Sequence, residues 1–357
     1  MIKSCYIHIP FCKNICSYCD FCKMYYNKDF VDKYLLSLEK EINLYYKNDL
    51  LNTLYIGGGT PSCLDEISLK KLFKIISIFK LNKTYEFTFE CNIEDINEKL
   101  LIFLKENKVN RISIGLQSFN KKYIEFMNRK YLNKKEITDK INLVKKYFNN
   151  INIDLIYGIN NETLKELQEE VDSFINLDVN HISLYSLILE DNTILKTKKY
   201  KEIDDDLNRK MYDYIRKTLK KNNYIHYEIS NFSKKGYMSK HNLCYWNNDN
   251  YYGFGLGSSG FIDNIRYTNT RSLNSYINGN YRYIKEKIDK KRNMEYEMIL
   301  NLRKIKGISK KKFYKKYNLN IKDVFDVSKL KENKYYFYIP KKYLFVENYI
   351  LSDFILD

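Results

Sequence analysis

The chain has no apolar run that approaches the ~20 residues of a membrane-spanning helix. It also shows no N-terminal signal segment, because Met1 leads directly into a short apolar stretch at positions 4–9. These two absences indicate a cytoplasmic protein and disfavour membrane-spanning and secreted classes. We therefore expect the eight cysteines to be reduced thiols rather than a disulfide framework.

Histidine and tryptophan are scarce, with four histidines and a single tryptophan, Trp246. A second C-x2-C pair is also missing, and zinc motifs usually combine one such pair with another pair or with histidines. A zinc site is therefore disfavoured. His181 and His226 have no evident ligand partner, and His8 is predicted either to tune a nearby metal group or to be a buried structural histidine.

Lysine dominates the charge, and the 357 residues carry a formal net charge of +17. Such an excess favours nucleic acid, an anionic membrane surface or an anionic ligand. The lysines are spread along the chain rather than gathered in one stripe with aromatic stacking platforms, so we interpret them as solvated side chains on helix faces. We expect no nucleic-acid partner, while a membrane-surface contact and a homodimer stay open.

Three cysteines near the N-terminus form the densest chemical motif, with the spacing C-x3-C-x2-C at Cys12, Cys16 and Cys19. Three thiolates can hold three corners of a [4Fe–4S] cube and leave the fourth iron open to a small molecule. The alternative is a loop of unrelated thiols. Cys22 lies three residues further on, and we interpret it as a bystander.

Apolar segments and amphipathic segments alternate six times between positions 4 and 187. This pattern is typical of an α/β fold in which a parallel sheet is covered by helices. Six units rather than the eight of a closed barrel predict an open, partial (βα)6 barrel of the TIM type. Polar residues follow the predicted strands, at the carboxyl ends where such folds place their chemistry.

The domain prediction is a large unit over residues 1–284, a charged linker over 285–292 and a small α+β module over 293–357. The large unit combines the barrel with an extension rich in aromatic residues and glycine. Within the module we expect a closing hairpin made of the segments 335–339 and 343–346. A G-x-G-x-x-G pattern at 255–260 lacks a preceding apolar strand and a following helix, so its glycines are predicted to form turns.

Eight short motifs follow one another along nearly the whole chain. They are YIHIPFC at 6–12, CSYCDF at 16–21, GGGTPS at 57–62, SIGLQSF at 113–119, NIDLIYG at 152–158, HISLY at 181–185, YEISNF at 227–232 and HNLCYW at 241–246. In sequence and in order they resemble the motifs of the radical S-adenosylmethionine (SAM) family. Within it they resemble the branch that contains oxygen-independent coproporphyrinogen III oxidase and the HemW haem chaperones.

The resemblance implies a barrel of radical SAM type, a [4Fe–4S] cluster on the three cysteines and a SAM site. The residues that match SAM-binding positions of the family are Tyr6, Gly58, Gly59, Thr60, Glu90, Gln117, Arg129 and Asp154. A carboxylate and an arginine suit the ammonium and the carboxylate of a methionine group. Two departures stand out, because Asp20 replaces the oxidase branch's fourth cysteine and Tyr131 replaces a histidine beyond Arg129.

His241 opens an H-N-x-x-Y-W motif, which the resemblance associates with haem binding in HemW-like proteins. Imidazole is a common axial ligand of haem, and aromatic side chains suit a porphyrin face. Cys244 within the motif is an alternative ligand, and an aromatic-lined turn that caps the barrel is the structural alternative.

Three functions follow from these patterns. The first is a haem chaperone that passes haem to acceptor proteins, with SAM either cleaved or only bound. The second is a coproporphyrinogen oxidase, which the missing cysteine one residue after Cys19 and the short N-terminus disfavour. The third is nucleic-acid binding with the cluster as a structural element, prompted by the net charge.

Overall fold

The computed structural model describes residues 1–356 of the chain. Strands and helices alternate from the N-terminus as the sequence predicts, and shorter strands follow beyond residue 220. The strands are β1 (Ser4–Ile9), β2 (Phe11–Cys12), β3 (Met24–Tyr25), β4 (Leu50–Gly58), β5 (Lys80–Asn92), β6 (Arg111–Gln117), β7 (Ile151–Tyr157), β8 (His181–Ser186), β9 (Ile225–Glu228), β10 (Asn231–Ser233), β11 (Tyr252–Phe254), β12 (Ser259–Ile262), β13 (Ile265–Asn269), β14 (Arg282–Lys287), β15 (Ile308–Ser309), β16 (Lys331–Glu332) and β17 (Tyr336–Tyr338).

Helices cover the sheet and build the C-terminal module. They are α1 (Lys28–Tyr45), α2 (Glu66–Ile76), α3 (Glu98–Glu106), α4 (Lys121–Phe126), α5 (Lys134–Tyr147), α6 (Leu164–Asn176), α7 (Ile194–Thr197), α8 (Asp205–Lys221), α9 (Lys240–Trp246), α10 (Leu273–Ile277), α11 (Lys290–Leu302), α12 (Lys310–Tyr317) and α13 (Glu347–Leu351). Asn133 and Thr163 start α5 and α6 with reciprocal capping boxes, which satisfy backbone N–H groups that the first turn leaves free. Along residues 1–356, we find no helix with the length and apolar character needed to cross a bilayer.

One nine-stranded sheet forms the centre of the fold, in the order β11-β1-β4-β5-β6-β7-β8-β10-β9. The six strands from β1 to β8 in this order are parallel, which confirms the predicted six βα units. β11 adds a further parallel strand beside β1, while β10 and β9 close the other side with antiparallel pairing. The carboxyl ends of the parallel strands therefore meet at one edge, where the site lies.

The parallel strands are amphipathic and not the continuous apolar runs that the sequence suggests. On β7, Ile151, Ile153 and Leu155 are buried, whereas Asn152 and Asp154 alternate with them and line an internal cavity. The alternation follows from strand geometry, since successive side chains point to opposite faces of a sheet. The apolar face packs beneath the helices, and the polar face surrounds the interior of the partial barrel.

The segment 285–292, predicted as a linker, is structured. β14 continues to Lys287 and pairs with β13 in a second sheet, and α11 begins at Lys290 with Asp289 as its N-cap. β14 is an edge strand whose charged side chains are exposed, which protects its free edge from pairing with another chain. Those same charges made the sequence resemble a linker.

The predicted closing hairpin of the C-terminal module is wrong in its second half. β17 (Tyr336–Tyr338) pairs with β15 and β16, and residues 341–346 form a 3-10 helix that leads into α13. In Lys341–Val346 only Leu344 is fully buried, Phe345 is half-buried, and the other four residues are exposed. A single buried position in six residues does not require the alternation of a strand.

Candidate functional site

A cavity of about 330 Å³ opens at the carboxyl ends of the parallel strands. Ten of the twelve predicted site residues line it: Cys12, Cys16, Cys19, Gly58, Gly59, Thr60, Glu90, Gln117, Arg129 and Asp154. These residues come from the cysteine loop, from the ends of four strands and from the loop beyond β6. Their convergence shows that the motifs, far apart in sequence, build one site.

The three cysteines of the loop face this cavity from one side. Thr60 Oγ1 lies 3.6 Å from Cys12 Sγ, and Arg129 Nη1 lies 3.8 Å from Cys16 Sγ. Burial raises the pKa of the Cys12 thiol to about 11. A bound cation would reverse that shift, because metal ligation favours the thiolate.

The cysteine arrangement suits a cluster better than a single ion. Among residues 1–356 no three His, Cys, Asp or Glu side chains surround a common point where one metal ion could bind. The three thiols nevertheless line the same cavity, as expected when each thiolate binds a different iron of a polynuclear cluster. The donor set therefore fits a [4Fe–4S] cluster with three protein ligands.

The turn after β4 needs glycine because neighbouring protein atoms leave no space for a side chain, whether or not a ligand is bound. A Cβ atom at Gly59 would lie 2.9 Å from Cys12 Sγ, and one at Gly57 would lie 2.5 Å from the carboxyl carbon of Glu90. Gly58 has a φ of +117°, which disfavours any other residue, and a Cβ there would meet the His8 ring. The run of glycines thus brings the turn against both the cysteine loop and Glu90.

Two carboxylates, Glu90 on β5 and Asp154 on β7, line the cavity from strands that are separated by β6. Glu90 accepts hydrogen bonds from the Tyr55 hydroxyl (2.6 Å) and from the Gly58 N–H (3.0 Å). Burial raises the pKa of Glu90 to about 7, and the nearby Asp154 carboxylate adds to this. Burial also raises the pKa of Asp154. A ligand that carries positive charge would favour the ionised form of both carboxyl groups and lower their pKa values.

Unsatisfied polar atoms in the cavity wall indicate a polar ligand. Gln117 has a φ of +70° at the end of β6, and its Oε1 is buried without a hydrogen-bond partner among residues 1–356. The buried Nε of Arg111 is likewise unpaired within that range. Buried polar groups are normally hydrogen-bonded, and strained residues cluster at functional sites. The wall therefore fits SAM, which offers amine, hydroxyl and carboxylate groups.

Arg129 connects the cysteine loop to the strand ends. Its Nη2 donates to the carbonyl oxygen of Gly115 (2.8 Å) and to Asn92 Oδ1 (2.9 Å). Its Nη1 lies 3.4 Å from the Tyr18 hydroxyl. The guanidinium thus holds positive charge next to a cysteine ligand at a fixed position.

Tyr6 and His241 lie outside the residues that line the cavity. The Tyr6 hydroxyl bonds to His8 Nδ1 at 2.9 Å, and its ring lies near Tyr55 and His241. His241 is only 1% exposed, and its two ring nitrogens lie 2.7 Å from the hydroxyls of Thr53 and Tyr245. Burial lowers the pKa of His241 to about 3, so the imidazole is neutral.

The aromatic motif that contains His241 forms a helix, α9, where the structural alternative was an aromatic-lined turn. Ser239 caps the helix, and a buried carboxylate on β5, Glu86, accepts the backbone N–H groups of Lys240 and His241 at 3.0 Å each. Asn242 on the same helix reaches the cavity wall. The motif is therefore part of the barrel interior, directly beneath the site.

The cavity wall also contains polar residues that sequence reasoning missed. They include Tyr18, Tyr55, Asn92, Arg111, Ser113, Asn152, Ser183 and Asn242. Several lie two positions from a predicted site residue on the same strand, such as Asn92 beyond Glu90 and Asn152 before Asp154. The period of two along a strand was the available signal, because it places such pairs on one face.

Comparisons with known proteins agree with this geometry. A model of the radical SAM superfamily matches residues 6–174. The chain is 38% identical over 332 residues to the haem chaperone HemW of Lactococcus lactis, an alignment that covers 90% of this chain and 87% of that protein. It is 38% identical over 339 residues to the haem chaperone HemW of Bacillus subtilis, with 91% and 89% covered.

Among solved structures, the coproporphyrinogen III oxidase HemN of Escherichia coli matches with a TM-score of 0.86 at 20% identity. The match covers 99% of this chain and 90% of that chain. At this identity the match concerns the fold, and it confirms the predicted partial barrel of radical SAM type.

Proposed function

The chain belongs to the HemW family of radical SAM proteins, and from this membership we propose that it is a haem chaperone that binds a [4Fe–4S] cluster, SAM and haem. The observation that supports this most is the 38% identity to two HemW proteins over about nine-tenths of the chain. The cavity supports it independently, because it brings three thiols and a polar wall together.

Cys12, Cys16 and Cys19 would hold the cluster. When bound, it would supply an iron with a free coordination position for the methionine end of SAM. The three thiols would hold the cluster at the cavity, because they line it and the glycine turn packs against Cys12.

The wall residues would bind and orient SAM. Glu90 would pair with the methionine ammonium, and Gln117 Oε1 would accept a hydrogen bond that none of residues 1–356 supplies. Asp154 would bind hydroxyls of the ribose, and Gly58, Gly59 and Thr60 would present backbone groups. Tyr6 would act indirectly, because its ring packs against Tyr55, which lines the cavity.

For haem we propose His241 as the axial ligand. Its neutral imidazole has a lone pair ready for the iron, whereas the Cys244 thiol, whose pKa burial raises to about 12, would have to lose its proton on binding. Because His241 is buried and both ring nitrogens are hydrogen-bonded, haem binding requires α9 to shift and one of these bonds to be given up. The bound haem would then pass to acceptor proteins in the cytoplasm. A homodimer or a contact with a membrane surface is compatible with this function, which needs no nucleic-acid partner.

Anaerobic cluster reconstitution followed by haem titration tests this proposal. We expect about four irons per chain, a change in the cluster's electron paramagnetic resonance (EPR) spectrum on adding SAM, and stoichiometric haem binding. His241→Ala should abolish the shift of the Soret band that marks axial ligation of haem. Cys244→Ala should retain this shift. Zinc in place of iron, or a cluster that does not respond to SAM, would contradict the proposal.

The oxidase alternative is tested in the same material. The reconstituted protein is incubated with coproporphyrinogen III, SAM and a reductant, and the porphyrins are separated. We expect no decarboxylated product. Turnover without haem binding would assign the chain to the oxidase activity instead.

A further inference from the structure

The glycine pattern at 255–260 lies against the cysteine loop. β11 runs parallel to β1 with Ile7 opposite Phe254, so the chain leaves β11 beside the carboxyl end of β1. The turn that follows then folds back along residues 269–271, since the N–H of Gly257 donates to the carbonyl oxygen of Thr270 at 2.8 Å. This arrangement brings a segment some 250 positions away next to the residues that follow Cys19.

Gly257 makes the closest approach. Its φ is +69°, and a Cβ atom there would lie 2.5 Å from Cys22 Cβ and 3.0 Å from Cys22 Sγ. Both the backbone conformation and the space therefore require glycine. Cys22 itself is buried and lies outside the cavity lining, with its sulfur 4.0 Å from the carbonyl oxygen of Arg271.

Arg271 fixes the backbone of the same segment. Its Nη2 donates to the carbonyl oxygen of Asp20, the residue directly after the third cysteine, at 2.8 Å. His8 Nε2 bonds to the carbonyl oxygen of Cys22 at 2.6 Å from the side of β1. The carbonyl groups on either side of Phe21 are thus both held by side chains.

The earlier half of the loop is held by different elements. Ser17 donates from its backbone N–H to Met127 (3.1 Å) and from its hydroxyl to Phe126 (2.9 Å), and Asn128 donates to the Ile15 carbonyl oxygen (2.8 Å). These contacts come from α4 and the residues that follow it. The backbone N–H of Leu195 also donates to the Ser17 carbonyl oxygen (3.1 Å). The contacts that hold the loop before Cys19 are thus separate from those that hold residues 20–22.

We propose that Arg271 and Gly257 are positioning residues for the third cluster ligand, holding residues 20–22 so that Cys19 stays directed at the cluster. The inference rests on the proposed cluster site and adds to it a role for the extension beyond the barrel. Groups that orient a metal ligand typically change metal affinity about 10–100-fold when they are removed.

Cluster retention in the full-length chain tests this proposal. Wild type, Arg271→Gln, Arg271→Lys and Gly257→Ala are reconstituted anaerobically, and iron content, EPR spectrum and the rate of iron loss to a chelator are measured. We expect Arg271→Gln and Gly257→Ala to lose iron about tenfold faster than wild type. Arg271→Lys should fall between them and wild type, because lysine keeps one donor but not the planar fork.

Matched controls separate positioning from general destabilisation. Gly279→Ala changes a glycine of similar φ, +85°, with no atom within 4 Å of the added Cβ. Arg216→Gln removes a guanidinium that bonds to Asp213 on α8. Both should retain iron as wild type does, and apo-protein melting temperatures should differ little between Arg271→Gln and Arg216→Gln.

Two outcomes would be decisive in the other direction. If Arg271→Gln and Gly257→Ala release iron at the wild-type rate, the positioning role is excluded while the cluster site stands. If wild type itself binds no cluster, the proposed function fails and the inference fails with it.

Discussion

Glu90 carries the clearest conflict between burial and charge in the site. Its carboxylate is enclosed near Asp154 and accepts hydrogen bonds from Tyr55 and Gly58, and burial raises its pKa to about 7. A bound ammonium would stabilise the ionised form. Near neutral pH the charge of this side chain therefore depends on whether a cationic ligand is present.

This conflict predicts a pH-dependent affinity for SAM. Below pH 7 the protonated Glu90 cannot pair with an ammonium, so the dissociation constant of SAM should fall as the pH rises from 6 to 8. Glu90→Gln should weaken SAM binding about tenfold at pH 8 and remove the pH dependence. Anaerobic calorimetric titration of the reconstituted protein measures both.

Glu162 provides the matched control for this experiment. It is also buried with a pKa raised by burial to about 7, but it accepts the N–H groups of Gly158 and Ile159 and does not line the cavity. Glu162→Gln should leave the pH profile of SAM binding unchanged. Equal flattening by both variants would show that Glu90 does not contact the ligand.

Which site residues could be predicted depends on what their strands encode. Glu90 and Asp154 were named because they match SAM-binding positions of the family, and both lie on strands that periodicity predicts. The sequence pattern does not show how far along the barrel axis a side chain lies. Tyr6 and His241 share the polar interior with the site but lie outside the cavity lining, where His241 bonds to Thr53 and the Tyr6 ring packs against Tyr55 of the cavity wall.

At the level of single elements, α9 shows how tertiary contacts override local preference. The sequence Lys240–Trp246 contains asparagine, histidine and two aromatic residues, none of which favours a helix strongly. The helix forms because Ser239 and the buried Glu86 carboxylate satisfy its first N–H groups. Such a partner, about 155 positions away, is invisible to sequence periodicity.

Thr53→Val tests how firmly α9 is attached to β4. Valine has the shape of threonine but leaves the buried Nδ1 of His241 without its 2.7 Å partner. We expect the free energy of unfolding to fall by about 1–3 kcal/mol in urea denaturation. Thr138→Val on the exposed side of α5 removes a comparable hydroxyl and should change it by less than about 0.5 kcal/mol.

At the scale of the whole molecule, the order of elements was more predictable than their junctions. The six βα units follow from periodicity, because each of their helices buries an apolar face. The boundary between the barrel and the C-terminal module did not, because β14 and α11 are rich in charge on their exposed sides. What orders these two elements is their contact with other elements, β13 for β14 and the helices α9, α12 and α13 for α11.

The junction between barrel and module buries two carboxylates. Glu228 on β9 is fully buried, and Glu347 at the start of α13 is 4% exposed, with one oxygen accepting from Arg303 at 3.0 Å. Burial raises the pKa of Glu228 to about 7 and that of Glu347 to about 8, and the repulsion between them contributes to the latter. The folded state therefore holds protons here that the unfolded chain would release near its ordinary pKa of about 4.3.

This linkage fixes the sign of a stability change. A carboxyl group whose pKa is raised on folding stabilises the fold most at low pH, and that stability is lost as the pH rises through the folded pKa. The free energy of unfolding of the apo-protein should thus fall between pH 6 and pH 8.5.

Glu347→Gln, which cannot ionise, should reduce this fall by about 1 kcal/mol, measured by urea denaturation at both pH values. Glu332→Gln, at an exposed carboxylate paired with Lys310 and Lys322 in the same module, should leave the fall as it is in wild type. If the fall is equal in wild type, Glu347→Gln and Glu332→Gln, Glu347 is ionised over the whole pH range. The attraction of Arg303 would then exceed the cost of burying the Glu347 charge.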